Sequence, residues 1–316
     1  MKSFENFYAK FIENKNDELE NDRIKYLNKY KKNFLIFKYS VIPVFIISII
    51  LIIIFNNGLF FFLSLVPFGF LGKALNIMSI ANKTIQKKYK RNIVIPLLKY
   101  LYEENLEYKA RQRMAINLLR KSLLFTKRVD YNSGDDYIKC KIGNTIIQFS
   151  EIKAYTTFMH NEKKIFSGVF ISVDFNKYFK SKTIIYDKYD YVNFRKSTLN
   201  FLGKTENAGF IELEDKNFNN NFIVIGEDQV ESRYILSPDF MQRLLNYKKA
   251  IGKNVSFSFI DNHLYIIIPN KINILELKLH ISVYNKDYLL YNYTYLNSIT
   301  NLVEFLNLNT KIWTKR

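Results

Sequence analysis

A single cysteine, Cys140, excludes an internal disulfide and a cysteine-built zinc cluster within one chain. Ten glycines and five prolines in 316 residues leave no collagen-like or linker-rich region and no glycine-loop chemistry. No Gly-x-Gly-x-x-Gly, Gly-x-x-x-x-Gly-Lys-Ser/Thr or Gly-x-Ser-x-Gly occurs, which removes the nucleotide and acyl-transfer classes that a sequence can announce. The three histidines, His160, His263 and His280, stand alone, without metal-ligand spacing, so no metal and no cofactor is implied. Acidic residues are scarce: 29 Asp+Glu against 47 Lys+Arg leave a formal charge of +18. What is abundant is apolar surface, 48% hydrophobic and 16% aromatic, enough for one or two domains with a real core.

The position of the charge decides its meaning. Residues 1–22 carry three basic and six acidic residues, residues 23–38 six basic and none acidic, residues 39–128 fourteen basic and three acidic, and residues 129–316 only 24 against 20. A nucleic-acid module carries its excess on the folded domain; here the excess flanks a stretch from Tyr39 to Gly72 with no charged residue. Nucleic acid is therefore disfavoured as a partner, and membrane lipid is favoured.

The uncharged stretch is too long for one span of a hydrocarbon core about 30 Å thick, and Asn56-Asn57-Gly58 marks a turn in its middle. Two spans are expected, at about 36–55 and 59–80, within a transmembrane hairpin over 36–81. Six basic residues precede the first span and Lys83, Lys87, Lys88, Lys90 and Arg91 follow the second, so both termini are expected in the cytosol. Pro67, Gly69 and Gly72 leave open a re-entrant wedge in place of the second span.

Ahead of the hairpin, over 1–35, Phe4, Phe7, Tyr8, Phe11 and Ile12 repeat with helical spacing and Leu19, Ile24 and Leu27 extend the stripe, predicting an amphipathic cytosolic helix. It would pack on the protein's own body, lie in the interface or contact a second copy. After the hairpin, 82–130 reads as basic juxtamembrane helices, broken near Pro96. Lys109, Arg111 and Arg113 belong to a polybasic run there and join Lys83, Lys87, Lys88, Lys90 and Arg91 as possible contacts for anionic lipid; positive-inside bias alone would explain the same residues.

From 131 to 316 the texture becomes that of an α+β domain dominated by antiparallel strands. Strands are expected at 137–141, 145–149, 164–173, 183–186, 210–213, 222–225, 255–260 and 264–268, with turns at Gly143-Asn144 and Asp261-Asn262. Glu227–Leu236 reads as a short helix, and Ser237-Pro238-Asp239 opens a second one, closed by Gly252. A C-terminal helix over 285–307 presents Leu289, Leu290, Tyr293, Leu296, Ile299, Leu302, Val303 and Leu306 as its apolar face.

The segments Tyr131–Tyr137, Phe149-Ser150-Glu151, Phe166–Phe170, Asp174–Lys177 and Asp228–Pro238, in this order and spacing, resemble the bacterial domain-of-unknown-function family 3137 over roughly 85–310. The resemblance implies an uncharacterised membrane-associated protein of the bacterial inner (cytoplasmic) membrane and supplies no catalytic residues. The expected role is a membrane-anchored interaction module for lipid or for a protein partner, which includes another copy of itself. The alternative is a membrane-bound enzyme using Asp174, Asp228, Glu231 and Arg233, with Lys177 nearby, around an acidic/arginine site; a solvated, ion-paired helix face is the simpler reading of the same residues.

Overall fold

The computed structural model describes residues 3–13, 17–102, 106–125, 127–159, 161–175, 178–189, 209–270 and 273–306. His160 and Lys177 lie outside these. The chain divides into two compact units, one made of residues 1–97 with 275–291, the other of 98–274 with 292–316.

The first unit is helical. Within the segment 1–35 expected as an amphipathic helix, Phe4–Glu13 is helical (α1), and α2 (Asp17–Phe55) runs unbroken through Pro43 into the apolar stretch. Asp17, Glu18 and Glu20 fill the first turn of α2, where the positive end of the helix dipole favours acids. The turn at Asn56-Asn57 is as expected, with Asn57 Oδ1 accepting from the Leu59 amide at 2.9 Å. Gly58–Leu65 is a 3-10 helix, and α3 (Val66–Tyr89) begins with proline in its first turn, where the missing N–H is harmless. Thus the segment expected as one helix over 59–80 has two helical forms.

Helix α2 and the helical run Gly58–Tyr102, which contains α3, are each long and apolar enough to cross a membrane. Between Phe34 and Ile80 most of their large apolar side chains are exposed; Ile42 is 68% and Ile53 73% exposed.

Pro96 does not break the helix that follows. Residues Lys90–Val94 widen into a π-turn, with the Ile95 amide donating to the Lys90 carbonyl, and α4 (Ile95–Tyr102) continues through the proline. Further on, the expected helix is replaced by strand β1 (Leu106–Lys109), and only Ile116–Lys121 is helical again, as α5.

Among the described residues, the second unit is built on one nine-stranded sheet. To β1 are added β2 (Tyr131–Ile142), β3 (Thr145–Phe158), β4 (Asn161–Asp174), β5 (Thr183–Asp187), β6 (Gly209–Ile211), β7 (Phe222–Gly226), β8 (Ser256–Ile260) and β9 (His263–Pro269). Their spatial order is β1-β2-β3-β4-β9-β8-β5-β7-β6, and every neighbouring pair is antiparallel. The expected strands are present, and β2 and β3 run much further than their apolar cores suggest. A bulge between Asp135 and Ile138, with Asp136 at φ 56, interrupts β2. There the buried Asp136 carboxylate accepts from the Tyr108 hydroxyl of β1 at 2.6 Å. Burial, first, and the adjacent Asp136 charge push the Tyr108 phenol upward.

Central strands are covered on both faces, so they read as continuous apolar runs. All five residues of β8 are buried: Ser258 Oγ donates to the Ser122 carbonyl at 2.6 Å beside α5, while Phe257 and Phe259 meet rings from the other side. Those rings come from α8 (Pro238–Ile251), which follows the two short helices α6 (Lys216–Asn221) and α7 (Gln229–Ile235). Helix α8 forms as its signals require: Ser237 caps it, Pro238 opens it, Asp239 pairs with Arg243 at 2.7 Å, and Gly252 closes it at φ 63, where a side chain would be strained. Helix α9 (Lys286–Phe305) closes the described chain; its expected apolar face is buried except for Leu290, which is exposed.

Candidate functional site

The four acidic/arginine candidates serve local structure. Asp228 is the N-cap of α7, accepting from the Val230 amide at 2.7 Å and the Glu231 amide at 3.3 Å. Glu231, three residues on, reaches across to the segment entering β5: its two oxygens accept from the Lys180 and Ser181 amides at 3.0 and 2.7 Å and from the Ser181 hydroxyl at 2.7 Å. Glu227 continues this clasp through Lys182, accepting from its amide at 3.0 Å and its ammonium at 2.9 Å. Asp228 and Glu231 are thereby brought together. Arg233 instead donates to the Glu212 carbonyl at 2.9 Å, and Asp174, at the end of β4, accepts from the Asn262 side-chain amide at 3.2 Å. The pattern Asp-x-x-Glu before an apolar run is an N-terminal helix signal, and it would have identified Asp228 as a cap.

The basic candidates divide by environment. Lys83, Lys87 and Arg91 are exposed on the first unit, Arg91 donating to the Asn92 side chain at 3.1 Å. Lys88 is committed to a carboxylate pair, Asp22 at 2.5 Å and Glu18 at 2.6 Å, whose hydrogen bonds raise its ammonium above the ordinary lysine range. Lys90 is buried at the π-turn. In the second unit Lys109 lies on β1, paired with Glu107 at 2.6 Å, and Arg111 and Arg113 are exposed.

The acidic residues that open α2 have a use that sequence reasoning missed. Arg23, only 6% exposed, holds Glu20 with two hydrogen bonds at 2.8 and 2.6 Å and donates to the Leu279 carbonyl at 2.7 Å. Glu20 also accepts from the Val283 amide at 3.1 Å. From α3, the Gln86 side chain grips Leu277 at both backbone groups, donating to its carbonyl at 2.5 Å and accepting from its amide at 2.9 Å. Tyr8 of α1 donates to the Tyr284 carbonyl at 3.1 Å, and Lys286 pairs with Glu5 at 2.9 Å. Residues 275–286 are therefore a strap clamped by α1, α2 and α3. Burial alone would raise the Glu20 carboxyl, but its bonds to Arg23, Val283 and Ser282 outweigh burial and hold it below the ordinary carboxylate range.

Among the described residues no three His, Cys, Asp or Glu side chains gather as a metal site. Cys140 is buried, which pushes its thiol up to about 12 and keeps it from reacting as a thiolate.

A family match covers the chain from within β4 to just beyond α9. Residues 164–308 match the family described as "Protein of unknown function (DUF3137)". The DUF3137 match contains the segments at Phe166–Phe170, Asp174–Lys177 and Asp228–Pro238, whereas those at Tyr131–Tyr137 and Phe149–Glu151 precede it, so it is shorter than the 85–310 expected. No curated protein matches the chain. Among solved structures, the crystal structure of the mycobacterial trehalose monomycolate transport factor A, TtfA, is similar with a TM-score of 0.38 and 7% identity, covering 70% of this chain and 95% of its own.

Proposed function

We propose that this protein is a membrane-anchored interaction module: a hairpin with spans at about 36–55 and 59–80 holds the sheet-rich unit at the cytosolic face, where it meets lipid or a protein partner. The observation that carries the reading is the exposure of twenty-two large apolar side chains between Phe34 and Ile80 on helices with no charge from Tyr39 to Gly72. That surface greatly exceeds the few hundred Å² of contiguous apolar patch tolerated by a soluble monomer. Twenty residues of helix reach about 30 Å, the thickness of a hydrocarbon core. Lys38 and Lys73 stand close to the basic-flanked ends of the two segments, placed to extend toward headgroups, which supports a cytosolic position for both termini.

The test is topological. A reporter inserted at Asn57 is expected to read outside, and reporters before Met1 and after Arg316 to read cytosolic. A cytosolic signal at Asn57 would replace the two-span hairpin by a wedge in one leaflet, and an extracytosolic signal at either terminus would reverse the orientation.

A further inference from the structure

Between α6 and the C-terminal half of α8 lies a hollow of about 500 Å³, within the range of small-molecule sites. Its lining is nitrogen-rich: Asn217 and Asn221 from α6, Gln242, Asn246 and Lys249 from α8, and Lys253 just past the Gly252 cap. No acidic residue contributes, and only Leu245 is apolar. Lys248, also in the wall, is already satisfied. It pairs with the fully buried Asp187 at 2.9 Å, donates to the Asn221 carbonyl at 3.3 Å and lies 5.0 Å over the Phe222 ring.

The other two ammonium groups have no ion pair among the described residues. Lys249 is exposed and has no hydrogen bond or ion pair among the described residues. Lys253 reaches only a neutral acceptor, Asn270 Oδ1 at 3.4 Å, and the Tyr295 ring at 5.6 Å. Burial lowers its pKa, and the Glu151 charge offsets this only in part, so its charge is held in place at an electrostatic cost. Compensation of the α8 dipole explains basic residues in the last turn, Lys248 and Lys249, but not a half-buried lysine beyond the cap.

We propose that this hollow binds a phosphate monoester carried on a hydroxylated body such as a sugar, with Lys249 and Lys253 meeting the phosphate and the Asn217, Gln242 and Asn246 amides meeting the hydroxyls. Two cations without an ion pair among the described residues match the charge of about −1.5 to −2 on a phosphate monoester near neutral pH. Side-chain amides offer donors and acceptors together, which suits hydroxyl groups. The same chemistry occurs in soluble sugar phosphates and in the headgroups of phosphorylated inositol lipids.

The experiment is calorimetric titration of the full chain in neutral detergent micelles with glucose 6-phosphate, with glucose, and with a short-chain phosphatidylinositol phosphate. At least one phosphorylated probe is expected to bind and glucose not to. Lys249→Gln and Lys253→Gln together should weaken binding by about tenfold or more, since a charge-assisted hydrogen bond counts for roughly twice a neutral one. Lys249→Gln alone, at an exposed position that cannot disturb folding, should weaken it measurably, and Lys163→Gln on β4 should not. Tighter binding of the lipid than of the sugar phosphate identifies a membrane source, and the reverse a soluble one. Failure of both phosphorylated probes to bind at about 10 mM, where a site of even −2.7 kcal/mol would fill by half, overturns the proposal. So does equal binding by the double variant or by glucose.

Discussion

The clamp at Arg23 makes a quantitative claim that a double substitution can break. Arg23→Met removes a guanidinium that is almost wholly buried and makes three hydrogen bonds, two to Glu20 and one to the Leu279 carbonyl. Removing one member of a buried ion pair typically costs about 3–5 kcal/mol, because the surviving charge stays buried without its partner. Glu20 keeps the Val283 amide and is 14% exposed at its side chain, which places the cost near the lower end, about 3 kcal/mol. Replacing Glu20 by Met as well removes the stranded charge. The Val283 amide and Leu279 carbonyl then each lose a partner, at about 1 kcal/mol apiece, so the double variant is expected to be more stable than Arg23→Met alone.

The readout is amide exchange of peptides covering 277–285 in the micelle-bound protein. A loss of about 3 kcal/mol accelerates exchange by on the order of 100-fold where opening precedes exchange. Glu20→Met with Arg23→Met should recover about 1 kcal/mol, roughly fivefold, of that protection. Unchanged protection in Arg23→Met would show that burial of Leu277, Leu279 and Val283 holds the strap without the clamp. A double variant less protected than the single would refute the account of a stranded charge.

What the sequence discloses depends on whether the deciding interaction is local. Helix α8 was readable to the residue because Ser237, Pro238 and Gly252 act on their own neighbourhood, and the Asp261-Asn262 turn likewise, with Asp261 adopting φ 54. The two long apolar helices were readable because a lack of charge over 34 positions is a property of composition. The strap was not: Gln86 and Leu277 are 191 positions apart, Arg23 and Leu279 256, and nothing in 275–286 has a period that points to α2 or α3. Strand β1 failed for a related reason. Its four residues sit in a helix-favouring leucine- and lysine-rich stretch, and pairing with β2 overrides that preference. Charge counting found the basic residues after α3 but could not distinguish the exposed Lys83 and Lys87 from Lys88, which faces Asp22 and Glu18, or from the buried Lys90. Of the acidic/arginine candidates, type and helix were legible, and the partners, such as the Lys180 and Ser181 amides bound by Glu231, were not.

Two further perturbations probe the packing. Gly168→Ala in β4 would drive a Cβ into the backbone of β9 at the Ile268 carbonyl, which cannot swing aside as a side chain would; a cost of at least about 2 kcal/mol in a denaturant melt is expected. Gly209→Ala in β6, where nothing lies within 4 Å of an added Cβ, should cost nothing, and equal melts for the two variants would refute the close-approach argument. The last perturbation is acid. Because the Glu20 carboxyl titrates lower in the folded protein than in the unfolded chain, the unfolded state takes up its proton first as pH falls. The stabilisation is therefore complete above the ordinary glutamate value of about 4.3 and declines as pH drops through the folded value. Lys88 acts at the opposite limit, its contribution lost only above the ordinary lysine value of about 10.4. Protection of 277–285, corrected for intrinsic exchange, should thus stay level from neutral pH down to about 5 and fall below it. Glu20→Gln cannot be protonated in this range and should flatten that step. A strap that loosened as pH rose from about 5 to 8 would have the wrong sign for a carboxylate stabilised in the fold, and would place the controlling group elsewhere.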